Sequence, residues 1–125
     1  MRKIIATTEA PAAIGPYSQG IVYGNLLFIS GQLPVDPKSG KLVSGDIGDK
    51  TRRIMENLEA IASEAGTSLD NAVKCTIFLT NLDDFRTVNA AYREFFPANP
   101  PARSTVQVAA LPLGAPIEIE MIVTM

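Results

Sequence analysis

The sequence predicts an α+β fold, a six-stranded mixed sheet with two helices on one face, in the order β-β-β-α-β-α-β-β. Three observations predict it. Two stretches, Asp46 to Ala65 and Asp83 to Phe96, repeat apolar residues at helical spacing. Six shorter stretches alternate or run continuously apolar over strand lengths. Two helices cannot cover both faces of so wide a sheet, and right-handed crossovers put both on the same side. The bare face still carries apolar residues such as Val22 and Ile122, so burial against another copy of the chain is expected.

Lys3 to Ala6 is a short strand, and Thr8 to Gly15 is a loop broken by Pro11 and Gly15-Pro16. Tyr17 to Tyr23 and Leu26 to Ser30 flank Gly24-Asn25, a hairpin signal, since Gly supplies the positive φ of a II′ turn. With Tyr23 opposite Leu26, Gln19 lies opposite Ser30 and Tyr17 opposite Gln32. Tyr17 and Ser30 then become diagonal neighbours, roughly 7–8 Å apart, beside Gly31. The plainer reading makes Tyr17 a half-buried aromatic and Gly31 a bulge. Pro34 to Gly40 is a turn region.

In the first helix Ile47, Ile54, Leu58, Ile61 and Ala65 form the apolar face. Asp46 can cap it, Asp49 suits its positive end, and Gly66 follows the last turn. Arg52, Arg53, Glu56, Glu59 and Glu64 read as its solvated face. Val73 to Thr80 is continuously apolar and β-branched, as expected of a central strand. Cys75 within it reads as a small core residue. The second helix presents Phe85, Val88, Tyr92, Phe95 and Phe96 as core, with Asn89 one position off that stripe, and Pro97 ends it.

The last two strands fall within Ala102 to Thr124, joined by Leu111 to Pro116. Ser104, Val106 and Val108 alternate with Arg103, Thr105, Gln107 and Ala109. Ile117, Ile119, Met121 and Val123 form an apolar row, with Glu118 and Glu120 opposite. The expectation is one greasy face and one face carrying the guanidinium and two carboxylates, suited to binding a carboxylate and activating water. A plain hairpin would hold Arg103 and Glu118 on the order of 17 Å apart. Either the strands are not neighbours, or two subunits share the site.

The bulk composition narrows the chemistry. A net charge of −2 argues against a broad phosphate-binding surface. Histidine is absent, which removes the commonest metal ligand and general base. A lone cysteine excludes an internal disulfide. No apolar run reaches spanning length and no signal-like start is present, so a cytoplasmic location and no membrane contact are expected. A length of 125 residues suits one domain over 1–125, without repeats or linkers.

Several motifs together resemble one family. GPYSQG at 15–20, FISGQLPVDPKSG at 28–40, NLDDF and VNAAY between 81 and 92, PPARSTVQVAALP at 100–112 and IEIEMI at 117–122 resemble the Rid family. These are the reactive intermediate deaminases, also called the YjgF group, and the RidA-like subgroup is most similar. The resemblance covers essentially the whole chain. It implies a chorismate-mutase-like fold, a homotrimer with sites between subunits, and a last strand inserted between Leu26–Ser30 and Val73–Thr80. It also implies hydrolytic deamination of 2-imino and enamino acids, such as 2-aminoacrylate and 2-aminocrotonate, to 2-keto acids and ammonia. It implies no cofactor, while the lack of His argues against a metal site and the charge balance against a nucleic-acid partner.

By the same resemblance Arg103 matches the carboxylate-binding arginine and Glu118 the acid that steers the attacking water. Ser30, Gly31, Tyr17 and Asn89 match substrate-binding groups, and Glu120 a structural glutamate. Thr105 also matches a substrate-binding position but stands where many RidA proteins have Cys, so a thiol response is expected to be missing there. The connection Pro97 to Pro101 is shorter than in some relatives. The alternatives are a non-catalytic 2-keto-acid-binding regulator and an RNA-directed activity, the latter disfavoured by the charge balance.

Overall fold

A computed structural model describes residues 1–125. The six strands are β1 (Arg2–Ile5), β2 (Gly20–Tyr23), β3 (Leu26–Gln32), β4 (Ala72–Leu79), β5 (Ala102–Gln107) and β6 (Ile117–Thr124). Helix α1 (Ile47–Ala65) joins β3 to β4, and α2 (Phe85–Arg93) joins β4 to β5. The strand order across the sheet is β1-β2-β3-β6-β4-β5. β4 and β5 pair in parallel, and every other neighbouring pair is antiparallel. The element order and single sheet are those expected, and β6 does insert between β3 and β4.

The Gly24-Asn25 hairpin has the expected register, Tyr23 opposite Leu26. Gly24 alone takes positive φ, 61°, as a II′ turn requires. Strand β2 begins only at Gly20, so Tyr17 lies outside the ladder. The buried Gln19 side chain holds this approach instead. Its Oε1 accepts from Thr7 N at 2.7 Å, and its Nε2 donates to Pro11 O at 2.7 Å.

Helix α1 follows its sequence signals closely. Asp46 and Asp49 form a reciprocal capping box, and Gly66 closes the other end in the left-handed conformation. Such a cap contributes about 1 kcal/mol. Ile54, Leu58 and Ile61 are fully buried, while Ile47 and Ala65 pack at the edge of the core. Helix α2 is shorter than its periodicity suggested. Leu82–Asp84 forms a 3₁₀ turn, with the Asn81 side chain accepting from Asp83 N, and the α-helix stops at Arg93. Phe85 is 40% exposed rather than core, whereas Val88, Tyr92 and Phe96 are buried.

The core lies between the helices and one sheet face. Leu27, Ile29, Cys75, Ile77, Ile117, Ile119 and Met121 all turn toward the helices. Val22 packs against this core too, contrary to its expected place on the bare face, because it pairs with the inward-facing Leu27. The uncovered face carries Ile4, Tyr23, Phe28 and Val106, all more than 40% exposed, together with Ile122.

Candidate functional site

The alternating side chains of β5 meet the sheet through β4. Arg103 pairs with Cys75 and Thr105 with Ile77, so both project to the helix-covered face. Glu118 and Glu120 pair with Phe78 and Thr76 and project to the other face. The expected common face for Arg103 and the two acids is therefore wrong. Alternation fixes which residues of one strand share a face, but the pairing partner decides how two strands match. β6 pairs with β3 and β4 rather than β5, which rules out the plain hairpin.

This leaves two separate groups. The first gathers on α2 and β5. The Arg103 Cζ lies 5.0 Å from the Tyr92 ring centre and 5.6 Å from that of Phe85. No carboxylate pairs with Arg103, as the ion pairs of the chain involve only Arg52 and Arg53. Stacking on aromatic faces orients a guanidinium while leaving its in-plane donors available. A cleft of about 510 Å³ opens beside it, lined also by Asn89, Tyr92 and Phe96. Asn89 Oδ1, Tyr92 Oη and Thr105 Oγ1 are buried without hydrogen-bond partners. Orphaned buried polar atoms cost about 1–3 kcal/mol each, and two of these, on Asn89 and Tyr92, belong to residues lining the cleft, which points to a ligand that satisfies them.

Burial pushes the Tyr92 phenol well above its usual pKa, with the neighbouring Cys75 adding to the shift. Burial likewise pushes the Cys75 thiol up to about 11. Both groups are neutral near pH 7, and Cys75 takes the core role expected of it.

The second group gathers on β3 and β6. A bulge at Ser30-Gly31 sets three steps of β3 against two of β6. Ser30 Oγ donates to Ser18 O at 2.6 Å. The Glu118 carboxylate lies against Gly31, where a built Cβ would fall 2.9 Å from Glu118 Cδ. Only glycine admits this approach. Burial, and then Glu120, hold the Glu118 pKa above the usual carboxylate value. Tyr17 is exposed on the preceding loop, its Oη accepting from Ile14 N at 3.4 Å.

Within one chain the two groups do not meet. Arg103 aligns across β4 with Met121, three residues from Glu118 and two strands away. That offset corresponds to about 14 Å, with the side chains on opposite faces. Sequence reasoning named Arg103, Asn89, Thr105, Ser30, Gly31 and Glu118 but missed the aromatic support. Phe85 and Tyr92 stand seven residues apart on α2, two helical turns, and that spacing was the available signal.

Comparison with known proteins decides the family. The model of the family described as Endoribonuclease L-PSP matches residues 7–125. The chain belongs to this Rid/YjgF family. It is 45% identical over 122 residues to the human 2-iminobutanoate/2-iminopropanoate deaminase, covering 98% of this chain and 89% of that protein. A Thermotoga maritima crystal structure superposes with a TM-score of 0.98 at 50% identity, covering 100% of this chain and 98% of that one. Escherichia coli TdcF with bound serine superposes with a TM-score of 0.94 at 46% identity, covering 98% of each chain. The sheet and its two helices are the chorismate-mutase-like fold of these Rid relatives.

Proposed function

We propose that the chain is a 2-iminobutanoate/2-iminopropanoate deaminase, hydrolysing 2-imino and enamino acids to 2-keto acids and ammonia. One observation carries this reading. Arg103 is a half-buried guanidinium with no acidic partner, stacked on aromatic rings and open to a cleft rimmed by unsatisfied polar groups. A planar anion is the complement of such a group, and a 2-imino acid carries one. The serine bound in TdcF supports an amino-acid-like occupant.

The substrate carboxylate binds in-plane to Arg103, with Asn89 and Thr105 offering further hydrogen bonds. Water adds to the iminium carbon, giving a carbinolamine. Glu118 takes a proton from that water, which suits a carboxylate of raised pKa. Glu118 returns that proton to nitrogen and takes up the hydroxyl proton as the C=O bond forms and the C–N bond breaks, releasing ammonia and leaving the 2-keto acid. Ser30 and the Gly31 backbone orient the reacting end, and Tyr17 covers the cleft mouth. No cofactor enters the scheme.

We further propose a homotrimer of single RidA-like domains in which Arg103 of one subunit faces Glu118 of the next. The opposed faces of the two groups support this, and so does the exposed apolar face around Phe28. The test couples a pyridoxal-dependent threonine dehydratase to the protein and follows 2-oxobutanoate against trapping of the free imine. Faster keto-acid release, lost in Arg103→Ala with an unchanged melting curve, supports the reading. Unchanged release with wild-type protein that still binds 2-oxobutanoate would favour the regulatory alternative.

A further inference from the structure

The Arg103 cleft has a second cation. Arg93 lines it too, and within one protomer none of the nine lining residues is acidic, while the acid that the proposed trimer adds, Glu118, faces Arg103. Arg93 stands one helical turn beyond Asn89 on α2, so both reach the same side of the helix. A cation in the last turn of a helix is favoured by the dipole, which accounts for an arginine at this end of α2. It does not account for an arginine left free beside another. The nearest acid in sequence, Glu94, is engaged elsewhere, its carboxylate taking both Nε and Nη2 of Arg52 at 3.0–3.2 Å. Arg93 has no ion pair.

The remaining walls are Pro97, Ala98, Pro100 and Pro101, which offer no charge to a ligand. A cleft of about 510 Å³ is roomier than a four-carbon imino acid fills, and it falls in the range of about 300–1,000 Å³ typical of small-molecule sites. The two arginines line one cleft from different elements, α2 and β5, and a ligand with two anionic ends matches that pair of cations.

We propose that Arg93 forms a second anion subsite at the outer end of the cleft, and that the chain accepts 2-imino acids bearing a side-chain carboxylate. The proposal rests on the deaminase reading. Arg103 holds the α-carboxylate next to the imine, and Arg93 meets the distal carboxylate. Water addition and ammonia release are unchanged, since the distal group takes no part in bond making.

The test measures kcat/KM for the imines of glutamate and of 2-aminobutyrate, each generated by an amino-acid oxidase with catalase present. The readout is the ratio of acidic to neutral substrate in wild type, Arg93→Gln, Arg93→Lys and Arg86→Gln. Arg86 lies on the same helix outside the cleft. About a tenfold fall in the ratio is expected for Arg93→Gln, the low end for a charged hydrogen bond near solvent. Arg93→Lys should restore part of it, and Arg86→Gln should leave it in place. An equal fall with Arg86→Gln, or no fall with Arg93→Gln, overturns the subsite. Calorimetric titration with 2-oxoglutarate and 2-oxobutanoate separates the two readings. Arg93-dependent preference for 2-oxoglutarate without any turnover keeps the subsite and removes the deaminase. Turnover of the neutral imine without that preference does the reverse.

Discussion

The Arg103 guanidinium lies over the Tyr92 ring, 5.0 Å from its centre, and meets no carboxylate. A buried or half-buried cation normally finds an acidic partner, because desolvation is costly. Here the ring faces of Tyr92 and Phe85 substitute for part of that stabilisation, each by about 0.5–2 kcal/mol. The strongest electrostatic contact of the arginine is left for a ligand.

Arg103→Lys should therefore fail as a replacement. An ammonium neither stacks as a plane nor binds a carboxylate in two parallel bonds. Losing that contact should lower kcat/KM by about 10²–10⁴-fold, with thermal stability nearly unchanged. Steady-state kinetics beside a melting curve check this, and near-wild-type turnover by the lysine variant would remove Arg103 from its assigned role.

Tyr92 separates ring from hydroxyl. Tyr92→Phe keeps the ring under Arg103 and deletes an orphaned buried hydroxyl, so the protein should melt at the same temperature or slightly higher. Tyr92→Ala should cost about 3–5 kcal/mol and weaken 2-oxobutanoate binding as the guanidinium loses its platform. If Tyr92→Phe instead abolished turnover, the phenol itself would take part in the chemistry.

Glu118 gives a pH signature. Its pKa is raised in the folded chain by burial and by Glu120, so ionising it costs folding stability. The cost is absent below the ordinary value of 4.5, grows as pH rises through the raised value, and is complete above it. Glu118→Gln should hence melt higher than wild type near pH 7, and the gap should close toward pH 4. In the proposed trimer the Arg103 that faces Glu118 pulls its pKa back down, so Arg103→Ala should move the acid limb of kcat/KM up and Glu120→Gln should move it down. A gap that widens on acidification would contradict the burial argument.

Gly31→Ala tests the close approach of Glu118. The added methyl drives the carboxylate out of its place, and the atoms it meets are the far end of a flexible side chain, which shifts more cheaply than backbone. The fold should survive with a loss of no more than about 1–3 kcal/mol. Turnover should drop toward that of Glu118→Gln, and full activity would place the reactive Glu118 elsewhere.

Cys75 should resist thiol reagents at pH 8 in the native state, since its thiol is buried with a pKa near 11. Labelling should appear only as the chain unfolds in urea. Fast native labelling would mean that the β4 core opens far below global unfolding.

Much of this was readable beforehand. The ends of α1 were legible because Asp46, Asp49 and Gly66 act on their own neighbours. The hairpin register was legible because Gly24-Asn25 fixes it locally. The motif around Arg103 carried the family resemblance. What failed depends on partners distant in sequence. Nothing within β5 or β6 says that β4 separates them, so Arg103 and the two glutamates were placed on one face. Val22 was misplaced although its partner Leu27 stands five residues away in that hairpin, because the turn fixes the pairing and not which face of the hairpin meets the helices. Phe85 looked like core because periodicity records its direction but not the arginine waiting there instead of aliphatic cover.

The position of β6 also shapes how the chain reaches its folded state. The two strands flanking β6 are β3 and β4, and β6 is the last of the six in sequence. During synthesis the earlier strands emerge with a central slot unfilled and two hydrogen-bonding edges unpaired. Such edges are templates for pairing with other chains. Nascent protein is consequently most exposed to mispairing just before residues 117–124 leave the ribosome, and a ribosome stalled there would hold a sheet lacking its middle.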